Sequence, residues 1–158
     1  LATVVLHPYR KGYRPADQAA TWEGLAEVER DLGVQVCHVE MKGETSYANA
    51  INALWGLGKD VVIVEHDIVP KTCHLTELEL CPEPYCAFDY IGVEAKLWSR
   101  FGWGAGIGLS RVRAAAQDAI VRRPRLMQVA WADVAYQMSL VLPDVHVHWP
   151  PVDHHHVY

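Results

Sequence analysis

The stretch Asp60-Val61-Val62-Ile63-Val64-Glu65-His66-Asp67-Ile68-Val69-Pro70 sets the reading of the whole chain. Val61 to Val64 form an unbroken β-branched run, the composition of a strand covered on both faces, as in parallel sheets with crossover helices above and below. Glu65, His66 and Asp67 follow at once. In an open α/β sheet ligands gather beyond the carboxyl ends of the strands, so this polar triplet stands where chemistry is expected. If the backbone stays extended, alternation aims Glu65 and Asp67 to one side. Two such carboxylates can hold a hard divalent cation whose other positions go to phosphate oxygens and water. The plain alternative is a pair of solvated turn carboxylates.

Outward from this strand, segments of strand and helix character alternate, the pattern of an α/β sheet. Ala2 to Leu6 is a short strand-like run that His7-Pro8 is expected to stop, because proline lacks an N–H donor. Ala19, Trp22, Leu25, Ala26, Val28 and Leu32 fall near helical spacing over residues 17–32, with Gly33 as the C-terminal stop. Gln35 to Val39 reads as a second strand. Tyr47, Ala50, Ile51, Leu54 and Trp55 share one face of a helix predicted over 46–57, with Thr45 or Ser46 as N-cap. Beyond residue 70 the pattern loosens. Residues 81–85 read as loop, 87–93 as a strand, 111–121 and 131–142 as helices and 145–149 as a last strand. Residues 102–108 carry four glycines, and residues 150–158 form a tail with three consecutive histidines.

A chain of 158 residues, 51% of them hydrophobic, can bury one core and hardly two, so a single domain over 1–158 is expected. The net charge of −5 lacks the basic field with which dedicated nucleic-acid binders neutralise phosphates. No apolar run approaches the ~20 residues of a membrane span. No signal peptide is evident, and the abrupt strand-like start at Leu1 is of the kind left when a short leader is trimmed. Four cysteines are too few for a secreted disulfide scaffold, so reduced thiols in a cytoplasmic protein are expected. Cys73, His74, Cys81 and Cys86 offer a rival four-ligand zinc set, although without a CxxC pair.

The run Tyr47-Ala48-Asn49-Ala50-Ile51-Asn52, followed by residues 60–70, resembles the core of GT-A glycosyltransferases related to family two. There a small-residue helix carrying an asparagine leads into a hydrophobic strand that ends in an Asp-x-Asp metal motif, with a proline soon after. Here Glu65 replaces the first aspartate. The resemblance implies a Rossmann-like, three-layer α/β sandwich with a mostly parallel central sheet. It also implies a hexosyltransferase-like enzyme that uses Mn2+ or Mg2+ and moves sugar from a UDP or GDP donor to a hydroxyl acceptor. Asp67 is then the principal metal ligand. Pro8, Tyr9 and Arg10 correspond to the family's loop against the nucleotide, Glu40 to the acidic residue that meets base or ribose, and Asn49, Glu65 and His66 to further donor contacts. Lys42 and Gly43 depart from the usual pattern. The glycine-rich 102–108 resembles the segment lining donor and acceptor, with Gly104 and Gly106 allowing close backbone approach.

By the same resemblance Asp133, opening the predicted 131–142 helix, is the general base, ahead of Asp118 and Asp89. Without the resemblance it is a carboxylate favoured by the helix dipole. Many GT-A enzymes complete the cation's coordination with a C-terminal histidine, which points to His154 and then His156. An ionised Asp133 accepting the acceptor's proton implies inversion at the anomeric carbon. The chain is shorter than most relatives, so part of the acceptor site is expected from a partner or a second copy of the chain. A modified DNA base as acceptor stays open but sits poorly with the acidic balance. Rival readings are a metal-dependent nucleotidyltransferase or phosphoesterase using the same carboxylates, and a non-catalytic zinc-binding interaction module.

Overall fold

A computed structural model describes residues 3–13, 15–43, 45–55, 57–90, 108–121 and 145–152. The elements in order are β1 (Thr3–Tyr9), α1 (Pro15–Leu32), β2 (Gln35–Glu40), α2 (Ser46–Leu54) and β3 (Asp60–Val64). They are followed by α3 (Thr72–Leu80), β4 (Tyr85–Tyr90), β5 (Leu109–Val112), α4 (Ala114–Val121) and β6 (His146–Val152). The six strands form one sheet in the order β2-β1-β3-β5-β4-β6. β1 pairs in parallel with β2 and β3, and β4 with β6, while β5 runs antiparallel to both β3 and β4. Five strands therefore point one way around a single reversed strand.

The β-branched run 61–64 is buried throughout, as its composition predicts. Alternation sends its side chains into two cores. Val61 and Ile63 pack with Leu6, Tyr47, Ile51 and Ala116 under α2 and α4. Val62 and Val64 pack with Val5, Leu25, Val28, Leu75 and Leu78 under α1 and α3. The result is the expected three-layer α/β/α arrangement with a mostly parallel sheet.

Several local expectations are corrected. β1 does not stop at His7-Pro8 but runs to Tyr9. The Tyr9 carbonyl accepts a hydrogen bond from the Met41 N–H at 2.8 Å on the β2 side, so Pro8, one residue earlier, presents its missing donor to the β3 side. Pairing with β3 has already ended at Leu6, and no ladder bond is lost. In α1 the buried positions are Gln18, Thr21, Gly24, Leu25 and Val28, whereas Trp22, Ala19 and Ala26 are exposed. Polar residues hold the inward face of the first turns because they tie down neighbouring backbone, as described below. Gly24 lets α1 approach the segment after β3, since a Cβ there would lie 2.6 Å from the Pro70 carbonyl oxygen.

Gly33 closes α1 as expected, at φ +63, its N–H donating to the Glu29 carbonyl at 3.0 Å. α2 stops at Leu54, earlier than 57, and α3 was not anticipated. Only Leu75 and Leu78 of α3 are buried, too few to mark a helical face. Residues 111–112 end β5 and do not begin a helix. α4 starts at Ala114, whose N–H donates to the Asp60 carboxylate at 2.8 Å. β4 begins at Tyr85, earlier than 87 and inside the predicted loop. β6 continues through Pro150 and Pro151 to Val152, so the tail begins after Val152 and not at 150. An edge strand tolerates those prolines, and β6 is at the edge. The predicted helix 131–142 lies outside the described residues. Among the described residues no helix is long and apolar enough to cross a membrane.

Candidate active site at the carboxyl edge of the sheet

β2 and β3 leave β1 on opposite sides, so the carboxyl ends of β1 and β3 flank the topological switch point where α/β sheets open a crevice. Arg10 follows β1, and Glu65, His66 and Asp67 follow β3. β5, being reversed, starts at the same edge, and the Glu65 N–H donates to the Gly108 carbonyl at 2.8 Å. The end of the glycine-rich segment is thereby fixed beside the polar triplet. Gly104 and Gly106 lie outside the described residues, as do Asp133, His154 and His156. β6 runs parallel to β4 and leaves the sheet at Val152 along this edge.

The triplet is not extended. The Ile68 N–H donates to the Glu65 carbonyl at 3.2 Å, so residues 65–68 turn back, and simple alternation does not govern where Glu65 and Asp67 point. Glu65 is half-buried, and its Oε1 accepts from the Tyr47 hydroxyl at 2.8 Å. His66 and Asp67 are buried, with His66 Nε2 3.9 Å from Asp67 Oδ2. The Thr21 hydroxyl donates to the His66 carbonyl at 2.9 Å, so α1 holds this turn in place.

The loop after β1 is tied to the same point. Gln18, buried in α1, donates through Nε2 to the Arg10 carbonyl at 2.8 Å and to the Tyr13 carbonyl. The Tyr13 N–H closes the turn on the Arg10 carbonyl at 3.2 Å, and Gly12 supplies the φ of +75 that it needs. The Arg10 guanidinium lies 5.8 Å from the Tyr13 ring centre, and the Tyr13 ring meets His66 edge-on at 5.5 Å. Beside this loop an open cleft of about 520 Å³ is lined by Tyr9, Arg10, Lys11, Pro15, Gln18 and Trp22, among others.

Of the expected nucleotide residues, Tyr9 and Arg10 therefore line a cleft. Pro8 is buried in β1, Glu40 is the register partner of Tyr9 at the end of β2, and Asn49 is exposed on α2. Trp22, Lys11 and Gln18 were missed. Trp22 stacks on His38 at 4.0 Å and meets His7 and Tyr9 edge-on, yet stays 37% exposed. Its helical spacing made it a core residue; only the aromatics of β1 and β2 facing it distinguish the two roles.

Under Trp22 lies a fully buried imidazole. His7 Nδ1 is 2.9 Å from His38 Nδ1, an arrangement in which one ring donates and the other accepts. Burial, then the charges of His38 and His66, lower the His7 pKa from 6.5 to about 3. Burial also lowers that of His38, with Glu29 opposing. Between pH 6.5 and 3 the unfolded chain binds a proton at position 7 that the folded chain refuses. Stability is therefore whole above pH 6.5 and falls as the pH drops, by up to about 1.4 kcal/mol per pH unit from this group. Denaturant unfolding of the native chain and of His7→Gln between pH 7 and pH 5 should show the steeper loss in the native chain. Equal slopes would contradict the assignment.

The rival zinc set Cys73, His74, Cys81 and Cys86 is not assembled as a group of four. Cys73 is exposed on α3 and His74 packs on Phe88, while Cys81 and Cys86 are buried free thiols beside His148. Burial pushes the Cys86 thiol up to about 12, with the nearby Arg111 guanidinium opposing.

No protein-family model matches the sequence, and no curated protein does. Among solved structures, the chain is similar to the crystal structure of a glycosyltransferase involved in the glycosylation of the major capsid of PBCV-1. The TM-score is 0.53 at 13% identity, over 94% of this chain and 82% of that one. This likeness shows a glycosyltransferase-like fold.

Proposed function

We propose that the chain is a glycosyltransferase that moves sugar from a nucleoside-diphosphate sugar, UDP- or GDP-linked, to a hydroxyl acceptor with inversion. The observation that carries this reading is the convergence of Tyr9, Arg10 and the Glu65–Asp67 turn at the β1/β3 switch point, in a fold shared with a glycosyltransferase. Tyr9 and Trp22 offer aromatic faces to the base, and Arg10 and Lys11 place positive charge along the cleft for phosphate.

Mn2+ or Mg2+ suits the donor chemistry of the turn, where Asp67, with Glu65 close in sequence, supplies the carboxylate oxygens that hard cations take. Asp67 would hold the ion, with His154 or His156 adding a ligand from the tail. Bound there, such an ion stabilises charge on a departing diphosphate. Asp133 accepts the acceptor's proton as the hydroxyl oxygen bonds to the anomeric carbon. The bond from that carbon to the diphosphate breaks, leaving free nucleoside diphosphate.

Calorimetric titration of UDP and GDP, with and without Mn2+, tests the reading. One of the two should bind at least about tenfold more tightly with the metal, a difference of about 1.4 kcal/mol. Absence of binding by both overturns it. Incubation with the matching donor then separates the rivals, since free nucleoside diphosphate marks glycosyl transfer or donor hydrolysis, whereas sugar 1-phosphate, the leaving group when the bond at the α-phosphate breaks, marks nucleotidyl transfer or phosphoester cleavage.

A further inference from the structure

Away from the cleft, three donor groups from three separate elements meet inside the α3 side of the sheet. Cys81 caps the end of α3, its N–H donating to the Glu77 carbonyl at 3.0 Å; Cys86 is the second residue of β4; and His148 is the third residue of β6. All three are buried, and the two sulfurs and a ring nitrogen of His148 lie within 4.8 Å of one another.

The histidine carries a second, independent sign. His148 is only 7% exposed, and its Nδ1 lies 2.8 Å from the Glu77 carboxylate. An ionised carboxylate can only accept, so Nδ1 bears a proton, and in the neutral ring that tautomer leaves the lone pair on Nε2. That Nε2 is buried and finds no hydrogen-bond partner among the described residues. A carboxylate on one ring nitrogen with the other left bare is the arrangement of metal-ligating histidines. A core histidine without a ligand would be expected to satisfy both nitrogens.

We propose that Cys81, Cys86 and His148 bind a zinc ion, with Glu77 orienting the imidazole. Two thiolates and an imidazole are the soft and borderline donors zinc prefers, unlike the oxygen set of manganese or magnesium. Zinc–sulfur bonds of about 2.3 Å and zinc–nitrogen bonds of about 2.0 Å imply donor separations of roughly 3.5–3.8 Å in a tetrahedral site. The donors therefore need to close by only about 1 Å. Binding forms two Zn–S bonds and one Zn–N bond and releases two thiol protons to solvent. The ion fastens edge strand β6 to α3 and β4, and so fixes where the chain leaves the sheet toward its C-terminal histidines. The site needs nothing from the proposed sugar chemistry, and the two readings fail separately.

The test is metal analysis of the full chain, purified under reducing conditions, loaded with zinc alone and dialysed. One zinc per chain is expected, and Co2+ loading of the same chain should give thiolate-to-cobalt charge-transfer absorption with tetrahedral ligand-field bands. Cys81→Ser, Cys86→Ser and His148→Gln should each lose the ion, and Cys73→Ser should keep it. Glu77→Gln should weaken binding by about 10–100-fold. Because variants can fail to fold, the cobalt spectrum of the unaltered chain decides. Absence of thiolate absorption overturns the proposal, whether the chain takes up no metal, holds it through the tail histidines, or joins Cys81 to Cys86 as a disulfide.

Discussion

Asp67→Asn is expected to abolish metal-dependent binding of the nucleoside diphosphate and to lower sugar transfer by about 10²–10³-fold, the cost of removing a principal electrostatic element from a dry site. Asparagine keeps the shape of the side chain but gives up the charge that would attract a cation. The residue is buried in a turn that Thr21 holds from α1 and is followed by Ile68, which is fully buried. The fold around it should therefore survive, and a circular dichroism spectrum like that of the native chain is the required control. Glu65→Gln should cost less, because Glu65 is already engaged by the Tyr47 hydroxyl. An Asp67→Asn chain that still binds the diphosphate more tightly with Mn2+ would remove the cation from this turn, and with it the metal-dependent mechanism.

The largest loss of stability is expected from Arg111→Met. Arg111 is fully buried, and its guanidinium donates to the carbonyls of Glu79 at 3.0 Å, Cys81 at 2.6 Å and Glu83 at 3.0 Å. One side chain in β5 thus satisfies the backbone of the whole turn from α3 into β4. Methionine fills similar space but leaves those carbonyls short of donors. Arg113 still reaches the Cys81 carbonyl, so the loss is not complete there. Two carbonyls, those of Glu79 and Glu83, lose their charged donor, at about 1–3 kcal/mol each, so a loss of about 3–5 kcal/mol is expected. For a chain of this size that lowers the melting temperature by roughly 6–20 °C. Arg111→Lys should recover little, since an ammonium cannot reproduce the planar fork. Thermal and urea unfolding measure both variants, and a loss below about 1 kcal/mol would show that water replaces the guanidinium.

What could be read from the chain alone follows from where side-chain pattern and backbone role coincide. Val61 to Val64 are apolar because both faces of β3 are covered, so their pattern located β3 and the α/β class together. Gly33 marked the end of α1 because the left-handed cap there needs glycine. β5 was hidden for the opposite reason. Ser110 and Arg111 are polar yet fully buried, their polarity directed at neighbouring backbone and side chains, so no hydrophobic alternation announces the strand. Gln18 and Thr21 misled in the same manner, as polar residues on the inward face of α1. At the candidate site, the position of Tyr9, Arg10 and Asp67 at the carboxyl edge of the sheet was legible because Tyr9 ends β1 and the other two follow strands. Trp22 and the His148 cluster were not, since each acquires its character from residues far away in sequence, His38 for the first and Cys81, Cys86 and Glu77 for the second.

The reversed strand has a consequence for biosynthesis. β2, β1 and β3 are complete once residue 64 has left the ribosome, but the strand that covers the outer side of β3 is made dozens of residues later. Until it arrives, the nascent chain carries β3 as an open edge, its valines only partly covered by α1 and α2 and one row of its backbone groups unpaired, the kind of surface that recruits other chains. Translation pauses or truncations between residues 65 and 108 should therefore yield chaperone-bound or insoluble fragments, whereas release after residue 112 gives that edge its own neighbour.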